Sequence, residues 1–584
     1  MSTRFVHNGS NLRRVLCAMV MSVLAVSNFS CSGMAGRQSE ATRADRWNVF
    51  VEDFLKSYFA MHPVFAVNAG LHEYDGQLPD WSKSGLDKIT TWLHSQRVRA
   101  QAFDASILDK RQRFERDYLV SIIDGELFWL ESAQWPYKNP YFYNSDLDPA
   151  VYVSREYAPL KERMRAYITY AEAVPTAVEQ IRNNLRTPLP RTYVEYGRMY
   201  FGGLASFYQN DVPKIFASVA DTQLQAHLQT ANASAIRATK EMDAWFEAQQ
   251  QDATSDFAMG SALFRQMLWA TERIDIPLER LKEIGQRDLE RNLAALREAC
   301  EAYAPGESIE VCVERLRADK PQEGPVEAAR RQLNQLKAFV IEKNLVSIPG
   351  KEEAIVKESP PYQRWNYAYI DIPGPYEKNV PSIYYIAPPD PCWTQKEQQD
   401  YIPGKLDLLV MSSHEVWPGH FLQFLHSNRA ASKLAAVFVG YGFAEGWAHY
   451  SEEMMWDAGL GNGDPETHIA QLLEALLRNV RFISSIGLHT GGMTVEESQQ
   501  MFREKAYMDS ATAKQQAARG TFDPEYINYT LNKLMVRKLR EDWTASRGGR
   551  DAWRAFHDEF LSYGGPPIPL VRSAMLGEKA GPPL

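Results

Sequence analysis

The segment His414-Glu415-Val416-Trp417-Pro418-Gly419-His420 gathers two imidazoles and a carboxylate within seven residues. Hydrolysis of an amide at a zinc ion needs side chains that hold Zn²⁺ with one position open, a carboxylate base, and a donor for the oxyanion. His414 and His420 are candidate ligands and Glu415 the candidate base. Their spacing is not the i, i+4 pair of the familiar helical zinc motif. On a regular helix six residues turn about 600°, leaving the imidazoles roughly 120° out of phase and ~9 Å apart along the axis. Bonds of about 2.0–2.1 Å cannot span that. The helix must therefore deform, and Pro418 supplies a reason: it lacks an N–H and its ring clashes with the preceding turn. Gly419 tolerates the backbone excursion that returns His420 to His414.

A third ligand is expected downstream. Glu445 follows His420 by 25 positions, the separation at which an antiparallel helix could present a carboxylate to the same ion. Glu445, His449 and Glu452 recur at i, i+4 and i+7 and share one helical face beside Trp447 and Ala448, which argues for burial. Glu445 is read as the third metal ligand, with Glu452 or His449 orienting the histidines.

The elements around these residues are mostly helical. Leu278, Leu281, Ile284, Leu289, Leu293 and Leu296 form one apolar stripe, with Pro277 in the first turn and Asp275 as expected cap. Another stripe runs through Leu333, Leu336, Phe339 and Val340. Between about Val346 and Pro389 the composition turns β-prone, and a small antiparallel sheet is expected there, its Ile383–Ile386 edge free to accept a substrate strand. Helix resumes after Leu406. The fold class is mainly α, with residues 47–584 as one large helical domain and the metal site at 406–535.

With 584 residues and a formal net charge of −9, the chain has no basic stripe suited to a nucleic-acid backbone. Arg4, Arg13 and Arg14 precede a short apolar run, Val15–Val26, and then small residues around Cys31: an export leader over residues 1–31. Cys31 stands where a lipoprotein would carry its modified cysteine, although Asn28 replaces the usual leucine. Lipid anchoring and plain cleavage both remain open, with a periplasmic or envelope location in either case. Residues 32–46 read as a polar tether. Cys300 and Cys312 could bridge in an oxidising compartment, but Cys300, Cys312 and Cys392 are read first as buried small hydrophobes.

These residues resemble a bacterial family of unknown function, DUF885, grouped with zincin-like metallopeptidases. The resemblance rests on His-Glu-Val-Trp-Pro-Gly-His (414–420) and on Glu-Gly-Trp-Ala-His-Tyr-Ser-Glu (445–452). It extends to His62-Pro63, Gly70–Asp75, Pro360-Pro361-Tyr362 and Tyr384-Tyr385, nearly the whole mature chain. It implies a zincin-like peptidase acting on oligopeptides within a helical shell. It also implies two further segments, Arg481–His489 and Tyr529–Leu534. Ser485 and Ile486 stand where relatives carry Asp and Thr, and Asn532 where they carry Gly. By the same resemblance Tyr529 is the expected oxyanion donor, with His489 as its competitor. The rival expectations are zinc hydrolysis of non-peptide amides or esters, and a catalytically inactive binding protein of the cell envelope.

Overall fold

The computed structural model describes residues 34–360, 364, 367–390 and 392–584, with 34–45 as backbone alone. The expected leader with Cys31, and Pro361 and Tyr362, lie outside the described residues. The first helix runs from Met34 to Met61, so the stretch expected as a tether is helical from Met34 onward. Its Ala, Arg, Glu and Gln residues are good helix formers. They lead directly into a helix whose Trp47, Phe50 and Phe54 are buried.

The helices bury their apolar faces in two halves. In the first, helices between Trp47 and Ala248 bury Trp47, Phe54, Tyr118, Tyr167, Tyr208 and Phe246 in one apolar cluster. Leu434, Val437 and Phe438 of the second half enter that cluster, and the Tyr118 hydroxyl donates to the Phe438 carbonyl at 2.7 Å. The second half buries Trp417, Phe421, Phe443, Trp447 and Phe560 together. Leu289, Leu296, Leu476, Phe502 and Tyr526 form an adjoining cluster.

The expected leucine stripe is the core face of the helix Leu278–Tyr303, where Leu278, Leu281, Ile284, Leu289 and Leu296 are buried. Asp275 is not its cap. Pro277 occupies that position, and Asp275 pairs with Arg265 at the surface. A disulfide joins Cys300 to Cys312, and Cys392 is exposed. The reading of three buried thiols is thereby corrected: the turn between the helices Leu278–Tyr303 and Ile309–Ala318 brings the first two cysteines together.

The sheet is mixed, not antiparallel. Strands β1 (Ala354–Glu358), β2 (Ala368–Asp371) and β3 (Ser382–Ile386) lie in the order β1-β3-β2. β1 runs parallel to β3 and β2 antiparallel to it. The hydrophobic run Ser-Ile-Tyr-Tyr-Ile of β3 is buried at every position, as a central strand covered on both faces must be. The expected free edge at Ile383–Ile386 is therefore occupied on both sides, leaving β1 and β2 as the edges. β3 faces the site helix through Tyr384, whose hydroxyl oxygen lies 3.5 Å from Ser412 Oγ.

Candidate metal centre

The helix Lys405–Glu415 carries His414 and Glu415 in its last turn, and a separate helix, His420–Ser427, begins with His420. The continuous helix is thus broken rather than bent. The Val416 N–H still reaches the Ser412 carbonyl at 3.0 Å, and the Gly419 N–H returns to the Ser413 carbonyl at 2.9 Å. A third element pins the break, with the Trp447 Nε1–H donating to the Pro418 carbonyl at 2.8 Å. Gly419 is needed for space and not for an unusual dihedral. Its φ is −71°, but a Cβ there would stand 1.6 Å from the His414 carbonyl oxygen.

The break brings the His414 and His420 rings to 4.8 Å between centroids, nearly perpendicular. The helix Tyr441–Asp457 supplies Glu445. Its Oε2 lies 3.4 Å from His414 Nε2 and 3.5 Å from His420 Nε2. One ligand atom from each of the three residues falls within 4.8 Å of the others. Two of these separations match tetrahedral bonds of 2.0–2.1 Å, which place neighbouring donors roughly 3.3–3.4 Å apart. Glu445 Oε2 is buried and makes no hydrogen bond of good geometry, although two imidazole nitrogens face it. Donors converging on a common point without bonding one another can hold a divalent metal.

Charge around this point is consistent with that role. Burial would lower the His414 pKa, but the facing carboxylates of Glu445 and Glu452 raise it to about 9. Burial would raise that of Glu445, yet His414 and His420 hold it well below the usual carboxylate range. Both shifts say that the pocket favours positive charge between these side chains, as a proton or as a metal. Glu415 is pushed upward by burial, with His420 and His414 opposing.

Glu452 Oε1 lies 2.6 Å from His414 Nδ1, and Oε2 lies 3.1 Å from His449 Nδ1. Glu452 therefore orients His414 directly, and His449 acts one step further out by holding Glu452. Arg478, which the sequence reading did not single out, stands beside both, its Nη2 3.3 Å from Glu452 Oε1 and 3.5 Å from His414 Nδ1. Its only legible signal was its place one turn before Arg481 on the same helix, Pro465–Ile486.

Tyr529 and His489 separate clearly. Tyr529 is buried, hydrogen-bonded with Tyr441, and close enough to Glu445 for that carboxylate to help burial raise its pKa. Its ring packs under Arg481 and Arg478, at 4.7 and 5.8 Å. His489 lies elsewhere. Its Nε2 bonds the Gly520 carbonyl at 2.8 Å, and its ring packs near Phe257 and Phe264. Among the described residues no contact joins it to His414, His420 or Glu445, and burial lowers its pKa to about 4. The helix Pro465–Ile486 and the wider π turn Gly487–Gly491 that follows it carry His489 eleven residues beyond Arg478 and past the cluster. Two of the three positions expected to depart from the family pattern, Ser485 and Asn532, have defined partners. Ser485 donates to the Pro524 carbonyl at 2.7 Å, a partner no carboxylate could replace. Asn532 is fully buried against Gly446, where an added Cβ would lie 2.2 Å from the Asn532 Cβ.

The family model described as "Bacterial protein of unknown function (DUF885)" matches residues 63–575. No curated protein matches. Two solved structures are similar in fold. One is a candidate lipoprotein of unknown function from Shewanella oneidensis, 23% identical, with a TM-score of 0.76 over 91% of this chain and 99% of that one. The other is a candidate lipoprotein from Colwellia psychrerythraea, 16% identical, with a TM-score of 0.76 over 92% and 98%.

Proposed function

The chain belongs to the bacterial family of unknown function DUF885, and from that premise we propose that it is an exported, zinc-dependent peptidase acting on oligopeptides. The observation that carries this reading is the position of Glu445 Oε2, shared by His414 Nε2 and His420 Nε2 at 3.4 and 3.5 Å. Two imidazoles and one carboxylate, all lightly solvent-exposed, are a donor set suited to catalytic zinc with a position left for water. Bound there, Zn²⁺ would serve as a Lewis acid and make a water acidic near neutral pH.

The protein's own residues then have defined work. Glu452 fixes the His414 ring through Nδ1, which leaves Nε2 to face the shared point. Glu415, one residue beyond a ligand and raised in pKa by burial, accepts a proton from the attacking water and passes it to the leaving amine. Tyr529, kept protonated by burial, is the donor for the developing oxyanion. The leader and Cys31 support export with a lipid anchor, and the similar structures described as lipoproteins agree with it. The anchor predicts palmitate labelling that Cys31→Ser abolishes.

The test is metal analysis of the purified mature chain, followed by a mixed peptide library with and without chelator, products read by mass. About one zinc per chain and chelator-sensitive peptide cleavage are expected. Glu415→Gln should lose about 10²–10⁴-fold in turnover while retaining its metal. Cleavage confined to esters or acyl amides would move the assignment to a non-peptide hydrolase, and a metal-free, inert protein would remove it.

A further inference from the structure

Arg481 stands apart from the other buried arginines. Among the described residues, six arginines are less than 9% exposed. Arg155, Arg478, Arg540 and Arg572 each have a carboxylate within ion-pair reach. Arg163 donates to the carbonyls of Ala158, Tyr152 and Val153. Arg481, 7% exposed, makes one hydrogen bond, from Nε to Gln516 Oε1 at 2.9 Å, and no ion pair. A buried guanidinium offers five donors and is costly to keep without an anion. The ends of this one are left for something else.

Its surroundings say where that something sits. The Arg481 guanidinium lies over the Tyr529 ring at 4.7 Å. Arg478, three residues earlier on the same helix, reaches His414 and Glu452. Arg519 is engaged by Asp523 at 2.8 Å and by the Tyr441 hydroxyl at 3.1 Å, so it does not compete for an anion. Arg481 is thus about one helical turn from the residue that touches a candidate ligand. An extended peptide advances ~3.3–3.6 Å per residue. A carboxylate on Arg481 would lie roughly one to three residues from a carbonyl held at His414, His420 and Glu445.

We propose, resting on the peptidase reading, that Arg481 is the specificity-determining residue of this site and binds a carboxylate of the peptide substrate. A guanidinium pairs with a carboxylate through two parallel N–H···O bonds, which fixes direction as well as position. Two sources share this chemistry, the free C-terminus and an Asp or Glu side chain. The first would make the protein cleave near carboxy-terminal ends.

The test uses titration calorimetry on the metal-loaded Glu415→Gln chain, so that binding is read without turnover. The probes are an acetylated tripeptide with a free C-terminus, the same peptide amidated, and an amidated peptide carrying Asp. The free acid should bind on the order of 10–100-fold more tightly than the amide. That ratio should fall to near one when Arg481→Gln is added, and survive in part with Arg481→Lys. An amidated Asp peptide that binds more tightly than the plain amide, with the free acid no tighter than that amide, would assign the carboxylate to a side chain. If neither carboxylate peptide binds more tightly than the plain amide, or if the advantage is unchanged by Arg481→Gln, the proposal is overturned. Should Arg481→Gln fail to fold by thermal melting, the Arg481 ratio and the Arg481→Lys chain decide alone. Product masses from the unsubstituted protein keep the two readings apart. Cleavage with a ratio of one removes only the carboxylate site, whereas a strong ratio without cleavage removes only the peptidase.

Discussion

At the scale of single residues, the site depends on where protons are held. Glu452 receives His414 Nδ1 at 2.6 Å and is itself fully buried. Glu452→Gln keeps the shape but removes the charge that orients and enriches the imidazole. Metal affinity should fall about 10–100-fold, measured by competition with a chromogenic chelator. A second carboxylate gives a pH signature away from the site. Glu272 is buried and accepts from Asn528 at 2.9 Å, and its burial raises the pKa from 4.5 to about 8. The folded state therefore holds this proton more tightly than the unfolded chain. Stability is complete below about pH 4.5 and declines as pH rises toward 8. Glu272→Gln preserves the acceptor and never ionises. It should match the native protein at pH 5 and exceed it by a few kcal/mol at pH 8 in urea denaturation. Equal curves at both pH values would contradict that account.

At the scale of elements, the site is set by how closely two helices approach. Gly442 and Gly446 of the helix Tyr441–Asp457 face Asn532 of the helix Asn528–Thr544, and a Cβ on Gly446 would also meet the Asn532 backbone near 3 Å. Glu445 lies between the two glycines, so any separation of these helices moves a candidate ligand. Gly446→Ala should cost about 1–3 kcal/mol and weaken metal binding. Because the nearest obstacle is the Asn532 Cβ, the cost should shrink in an Asn532→Gly background. A double-mutant cycle by denaturation measures that coupling, and strict additivity would refute the contact. The broken helix at 416–419 was partly legible: Pro418 and Gly419 announced a deformation between the histidines. The pin on it was not, because Trp447 is remote in sequence and its indole meets the Pro418 carbonyl only once the chain has folded back.

At the scale of the molecule, four helices of the second half meet in a buried ionic network. Lys533 Nζ, with no exposure, lies 3.1 Å from both Asp288 and Glu453. Arg291 joins the same two carboxylates, Arg537 reaches Glu453, and Asn479 donates to Asp288. This ties Leu278–Tyr303, Pro465–Ile486 and Asn528–Thr544 to the helix that carries Glu445. Lys533→Met would leave two buried carboxylates to the arginines alone. It should cost about 3–5 kcal/mol, read by chemical denaturation, and an unchanged midpoint would show the network to be energetically neutral.

Local pattern carried much of this. Helical periodicity, the proline–glycine break and the i, i+4, i+7 face of Glu445, His449 and Glu452 are near-neighbour properties, decided by residue types a few positions apart. So were the mainly helical class and the presence of β strands before the site. Pairing across distance was not written there. Hydropathy places Ser-Ile-Tyr-Tyr-Ile in a strand, but only the folded chain decides that β3 is central and parallel to β1. Cysteine spacing allowed a bridge between Cys300 and Cys312 without choosing it. Likewise, Tyr529 was the expected donor and His489 its competitor, and only the folded chain sets His489 beyond the end of the helix Pro465–Ile486, away from the cluster, and Tyr529 beside Glu445. Which side chains meet depends on the rotation and separation of whole helices, and those follow from packing summed over the entire core.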